Sequence, residues 1–223
     1  MDRIISCDKI DSGRTKMKKA MTILYSVKNA LYINLTNKCP CNCTFCIRTS
    51  KENEFPHIET LWLLHEPSFE EIRSEFLQTD VSNYKEIVFC GYGEPTEALD
   101  VLLQTARFIK ENYSIPVRIN TNGLGNLINK KDITPLFKGL IDSISISLNS
   151  SNPQIYQNTV RPIFKEQAFP ALLEFARNAK KYVPEVTFTT VKTTISQEDE
   201  EKCLELAKSL GVNYRIREYE ELK

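Results

Sequence analysis

Four cysteines stand within eight positions of the run TNKCPCNCTFCIR, residues 36 to 48: Cys39, Cys41, Cys43 and Cys46. No other window of that length holds more than one. Thiolates are soft ligands and nucleophiles, so the chemistry such a loop offers is metal binding, redox chemistry or both. Two metal readings compete. A structural zinc site draws four ligands, as a rule from two separated pairs, and here there is no second pair. An iron–sulfur cluster is larger and each cysteine reaches a different iron, so a single tight loop can serve it, and the spacing favours this reading.

Composition sets the frame around that loop. With 223 residues, 41% of them hydrophobic, the chain can build a sizeable core, and one domain is the default. Twenty-nine basic residues balance twenty-nine acidic ones. Bulk charge therefore gives no field for nucleic-acid binding. The N-terminus, MDRIISCDKIDSGRTKMKKA, lacks the apolar stretch of a signal peptide, and apolar runs such as Leu61 to Leu64 fall far short of the roughly 20 residues of a membrane span. A soluble cytoplasmic protein without membrane contact is expected. Thiols stay reduced in that compartment, which again argues for metal over disulfides. Cys90 and Cys203 read as small core hydrophobes, and Cys7 is uninformative.

The elements that must position the loop alternate. Leu31–Thr36, Glu86–Gly91, Pro116–Thr121, Ser143–Leu148, Val186–Thr193 and Asn213–Tyr219 read as strands, being short and rich in β-branched or aromatic residues. Helices between them have recognisable ends: Ser68 with Glu71 and Ser196 with Asp199 at capping-box spacing, Asn152 before Pro153, and Gly211 as terminator. Six βα units imply an α/β fold with parallel strands. In Ser143-Ile144-Ser145-Ile146-Ser147-Leu148 the apolar set must face helices, which turns three serines to the other side. A doubly wound sheet would need a second apolar layer there, whereas a barrel lumen that holds a ligand suits it. The cysteine loop follows the first strand at its C-terminal end, where βα proteins place their chemistry.

Cys39, Cys43 and Cys46 have a spacing of three residues then two, with Phe45 before the last; GYGEP follows at 91 to 95, NTNG at 120 to 123 and SLN at 147 to 149. In type, spacing and order these resemble the motifs of the radical S-adenosylmethionine (radical SAM) superfamily. The run MTILYSVKNALYINLTNKCPCNCTFCIR is most similar to the branch associated with TatD-type nucleases. The resemblance implies a partial (βα)6 barrel over residues 21–223 with a dispensable tail at 1–20. It implies that Cys39, Cys43 and Cys46 bind three irons of a 4Fe-4S cluster while S-adenosylmethionine chelates the fourth. Reductive cleavage would then give a 5'-deoxyadenosyl radical that takes hydrogen from a substrate. By alignment, Gly91, Tyr92, Gly93 and Glu94 meet the methionine end, Asn120 and Ser147 the ribose, and the Phe45 backbone the adenine. Tyr92 departs from the glycine the superfamily has there. Implied partners are an unidentified substrate, an electron donor such as flavodoxin or ferredoxin, and a functional link to a TatD-type nuclease. The alternatives are an activase that installs a glycyl radical on a partner protein and a non-catalytic iron–sulfur carrier.

Some residues stay outside the motifs. Cys41 reads as a small residue in a tight loop, Trp62 and His65 as a flap over the site or a satellite cluster, and His57 and the run Lys16, Lys18 and Lys19 as solvated. Strand parity places Ile119 and Ile216 toward the helices and puts Arg118, Asn120, Arg215 and Arg217 on the lumen side with Ser145 and Ser147. Buried arginines need partners, with Glu94 and Glu218 as internal candidates, and Arg217 is the expected contact to a negatively charged substrate. Arg161 is a second candidate.

Overall fold

The computed structural model describes residues 20–49 and 60–218, and the expectations for Cys7, His57 and the basic run at 16–19 lie outside them. Each strand forms where the sequence alternates or is β-branched. They are β1 Leu24–Val27, β2 Ala30–Ile33, β3 Glu86–Phe89, β4 Val117–Thr121, β5 Ser143–Ser147, β6 Glu185–Val191 and β7 Asn213–Arg217. They pair in chain order, β1 antiparallel to β2 and all later neighbours parallel, with β1 and β7 at the two edges. The helices are α1 Phe69–Gln78, α2 Leu99–Asn112, α3 Gly125–Asn129, α4 Pro153–Val160, α5 Ala168–Ala179 and α6 Gln197–Leu210. This is an α/β fold whose six parallel strands make a partial barrel with outer helices.

Local signals set the helix ends. Ser68 and Glu71 form a reciprocal capping box, Asn152 caps α4 ahead of Pro153, and Gly211 ends α6 at a φ of 64°. Ser196 caps α6 by accepting from the Asp199 N–H, but the Asp199 carboxylate turns elsewhere, to the Ser150 hydroxyl at 2.7 Å and to Ser151. It thereby ties the end of β5 to α6.

Register separates the two faces. Ile33, Phe89, Ile119, Ile144 and Val186 form one cross-strand row in the core between sheet and helices. Cys203 is fully buried there, as expected of a small hydrophobe. The opposite face carries Cys90, Asn120, Ser145 and Thr187, which makes it polar.

Several expectations are corrected. The strand expected at Leu31–Thr36 runs Ala30–Ile33 and is not the first: β1 precedes it, and the two form a hairpin turning at Lys28, whose φ is 54°. Ala20, assigned to the tail, bridges Leu63, its N–H donating to the Trp62 carbonyl at 2.9 Å and its own carbonyl accepting from Leu64. Ile216 is 42% exposed and not covered by helices as expected, which its place on the edge strand allows. No helix among the described residues is long and apolar enough to cross a membrane.

Candidate functional site

The cysteine loop begins just past β2 and is fixed from three directions by backbone hydrogen bonds. Glu94 N–H donates to the Lys38 carbonyl at 2.8 Å, joining the loop to the end of β3. The C-terminal turn of α4 accepts from it: Asn42 N–H reaches the Val160 carbonyl at 3.1 Å and Thr44 N–H the Thr159 carbonyl at 2.9 Å. Cys41 then bridges Pro162, and Ile163 N–H donates to the Pro40 carbonyl at 2.9 Å. Arg48 reaches back to the Cys41 carbonyl at 3.1 Å. Phe45, half-buried, sits in the turn that Cys46 N–H closes on the Cys43 carbonyl.

Cys39, Cys43 and Cys46 are partly buried, while Cys41 is only 5% exposed and packs into the core. The Cys41 thiol is the proton keeper of a hydrogen-bonded pair with Cys39: that bond, reinforced by burial, drives its pKa far up and holds Cys39 below the ordinary thiol value. Asn122 Nδ2 also donates to Cys41 Sγ at 3.7 Å. Burial pushes Cys43 up to about 12, and it raises Cys46 as well. Among the described residues, no three cysteine, histidine or acidic side chains converge tightly enough to hold one ion.

In GYGEP the two glycines serve packing against the loop. A Cβ on Gly93 would lie 2.2 Å from the Thr36 carbonyl oxygen and 2.7 Å from that of Lys38, and one on Gly91 would lie 2.1 Å from Asn34 Oδ1. The close approach shown here is of chain to chain. Glu94 is 3% exposed. Its Oε1 accepts from Thr96 N–H at 3.2 Å and from the Thr96 and Thr121 hydroxyls at 2.7 Å each, and its Oε2 accepts from Asn122 N–H at 2.7 Å. Burial raises its pKa even so. Oε1 is saturated, whereas Oε2 keeps acceptor capacity. Tyr92 turns away from the loop backbone into an aromatic cluster with Tyr25 and Leu61, its ring edge-on to Trp62 at 5.2 Å. Trp62 packs on the satellite cluster and also lines a cavity of about 860 Å³ with Lys38, Cys39 and Arg48, so both readings of it stand; His65 is exposed and pairs with Glu71 at 2.8 Å.

On the lumen face, Ser147 is half-buried and its hydroxyl makes no hydrogen bond among the described residues. Asn120 is engaged: its Oδ1 accepts from Arg118 at 2.5 Å, and its side chain bonds to Cys90. Cys90 thus faces the lumen, correcting its assignment to the core. Arg118 is held by both oxygens of Glu86, at 2.9 and 2.7 Å, so its partner is neither Glu94 nor Glu218. Glu218 pairs with Lys192 instead. Arg215 reaches Ser145 Oγ at 3.3 Å, and Arg217 ends β7 on the same face. Arg161 lies elsewhere, at the C-cap of α4, lining an outer depression of about 490 Å³ with Gln157 and Lys165.

Two functional candidates escaped the sequence reading, and both carry a buried polar atom without a partner: Tyr156 Oη, on α4, and Asn149 Oδ1, at the end of β5 with a φ of 62°. Tyr156 is fully buried, and that burial first, then the nearness of Cys41, Cys43, Cys39 and Glu94, raises its pKa. Its place in a helix that reads as amphipathic gave no signal; Asn149 was within SLN and could have been singled out.

Comparison with known proteins agrees with this geometry. The model of the radical SAM superfamily matches residues 33–210. Solved structures that share the fold include Streptococcus suis SuiB bound to the precursor peptide SuiA, with a TM-score of 0.65 and 18% identity over 89% of this chain and 41% of that one. A radical SAM methyltransferase from Sphaerobacter thermophilus matches at a TM-score of 0.60 and 14% identity over 89% and 69% of the two chains. TYW1 with a lysine-pyruvate adduct bound matches at 0.61 and 15% over 87% and 66%. This chain therefore spans less than half the length of SuiB.

Proposed function

Because the chain belongs to the radical SAM superfamily, whose enzymes use a 4Fe-4S cluster and S-adenosylmethionine, we propose that Cys39, Cys43 and Cys46 hold the cluster in this protein. The observation that carries the assignment is the loop itself, which presents these three partly buried thiols past the C-terminal end of β2 and is tied at Lys38 to Glu94 at the end of β3. When bound, cluster and cofactor together supply reductive cleavage of the sulfonium and a 5'-deoxyadenosyl radical that abstracts hydrogen.

The residues fit that pair of groups. Three partly buried thiols supply soft ligands and leave one iron without a protein donor. Cys41 serves as internal donor to Cys39 and stays outside the ligand set. Glu94, fixed through Oε1, presents Oε2 to the ammonium group of the cofactor. Gly91, Tyr92 and Gly93 shape that wall, the Phe45 backbone meets the adenine, and Ser147, with its free hydroxyl, is the better placed of the two ribose contacts. Asn120 contributes there through the network it shares with Arg118 and Cys90.

The Tyr156 hydroxyl is a buried donor without a partner near Cys39, Cys41 and Cys43, and a sulfur of the cluster, when bound, would be an acceptor for it. An unmade buried hydrogen bond costs about 1–3 kcal/mol. Tyr156→Phe should therefore leave the melting temperature of the cluster-free protein unchanged or higher, while a hydrogen bond lost from sulfur lowers the cluster's reduction potential by on the order of 50 mV. Calorimetry of the apoprotein and a spectroscopic redox titration of the reconstituted one check the two halves.

The sequence run from Met21 to Arg48 supports placing the chain in the branch associated with TatD-type nucleases, with an electron donor of the flavodoxin or ferredoxin kind and a functional link to such a nuclease. The deciding experiment is anaerobic reconstitution followed by S-adenosylmethionine and dithionite. Formation of 5'-deoxyadenosine is expected. A cluster that reduces yet never cleaves the cofactor would favour an electron carrier.

A further inference from the structure

Among the described residues, the lumen wall holds more guanidinium groups than carboxylates paired with them. Arg215 and Arg217 alternate on one face of β7, the charges of Arg215 and Arg118 act on Arg217, and Arg215 and Arg118 both act on Glu86. Glu86 is consumed by its two-pronged bond to Arg118. Glu185 shares the face but stands at the start of β6, six residues from Val191, the register partner of Arg217, or about 20 Å along the strand. It bonds to Thr187 there. Arg215 is met only by a serine hydroxyl at 3.3 Å, and among the described residues Arg217 has no side-chain partner. Arg217 is exposed at the open edge, yet the protein packed around its charge, followed by the repulsion of Arg215 and Arg118, lowers its pKa against the pull of Cys90 and Tyr32.

Arg215 and Arg217, two residues apart on the same face of the edge strand and both exposed, have no carboxylate partner among the described residues, which leaves their guanidinium groups open to a ligand. The planar fork of each donates two parallel hydrogen bonds to an oxyanion. The face beside them carries Asn120 and Ser147, where the ribose contacts are proposed, so a group seated on the arginines lies next to the cofactor space.

We propose that Arg215 and Arg217 form the recognition site for an oxyanion of the substrate, a carboxylate or a phosphate, with Arg118 fixed behind them by Glu86. The inference rests on the radical SAM reading of the same lumen and names its substrate class. Arg161 has no part in it, being on the outer surface beyond α4.

The test uses the full chain, reconstituted with cluster and saturated with S-adenosylmethionine so that the cofactor's own carboxylate is present in every arm. Calorimetric titrations with pyrophosphate and with succinate, at fixed ionic strength, separate a phosphate site from a carboxylate site. Saturable binding of at least one probe is expected, weakened about tenfold or more by Arg217→Gln and by Arg215→Gln and left intact by Arg161→Gln. Should Arg217→Gln fail to fold, Arg215→Gln decides alone. Failure of both probes to bind, or equal weakening by Arg161→Gln, overturns the site. Formation of 5'-deoxyadenosine by the wild-type protein is measured in parallel. If it occurs without anion binding, only the arginine site falls; if it does not occur, the radical reading falls first.

Discussion

Replacing Cys39, Cys43 or Cys46 with alanine is expected to abolish assembly of the 4Fe-4S cluster, whereas Cys41→Ala assembles it. The expectation follows from how the four side chains are used. Cys41 packs into the core, bridges Pro162 through its backbone, and spends its thiol on Cys39 and Asn122. Truncating it removes one sulfur and a weak hydrogen bond, a loss of about 1–2 kcal/mol that the backbone contacts of the loop survive. The other three are only partly buried, and loss of one leaves an iron without its thiolate. Iron and sulfide analysis with electron paramagnetic resonance of the reduced protein gives the answer. A Cys41 variant lacking the cluster, beside a Cys43 variant retaining it, would reverse the ligand assignment.

Gly93→Ala should be nearly as damaging, for a reason unrelated to the cofactor. The added methyl meets two carbonyl oxygens of the backbone, Thr36 at 2.2 Å and Lys38 at 2.7 Å, and neither can rotate aside as a side chain would. The same Lys38 carbonyl accepts the Glu94 N–H that binds the two loops together, so relief of the clash breaks that bond. Overpacking of this kind costs about 3 kcal/mol, which lowers the melting temperature of a domain this size by roughly 10 °C. The loss should appear in the apoprotein, with cluster content falling as a consequence. Gly139→Ala is the control: its φ is 74° but nothing lies within 4 Å, so only backbone strain of about 1 kcal/mol is expected. A Gly93→Ala protein that melts normally and loses only S-adenosylmethionine binding would return the glycine to the ligand-approach role first read from sequence.

The sequence by itself determined what short-range chemistry encodes. Alternation in Ser143–Ser147 set the two faces of β5, capping residues set the starts of α1, α4 and α6, and the cysteine spacing marked one loop at the end of one strand. Each of these depends on residues a few positions apart, whose geometry the backbone fixes. The hairpin of β1 and β2 escaped because its turn at Lys28 and Asn29 lacks glycine, so only its second strand reads from the sequence. Tertiary structure alone decided partners separated by long stretches of chain. Glu86 finds Arg118 across 32 residues and Asn122 finds Cys41 across 81, and Tyr156 comes to the cysteine loop from α4. Cys90 showed the limit most plainly. It closes an apolar run and so reads as core, but its direction depends on the register of β3 against β4, which turns it to the lumen beside Asn120 and the arginines. Parity within one strand tells which residues share a side; only the closing of the sheet, with helices packed on one face, tells which side each set occupies.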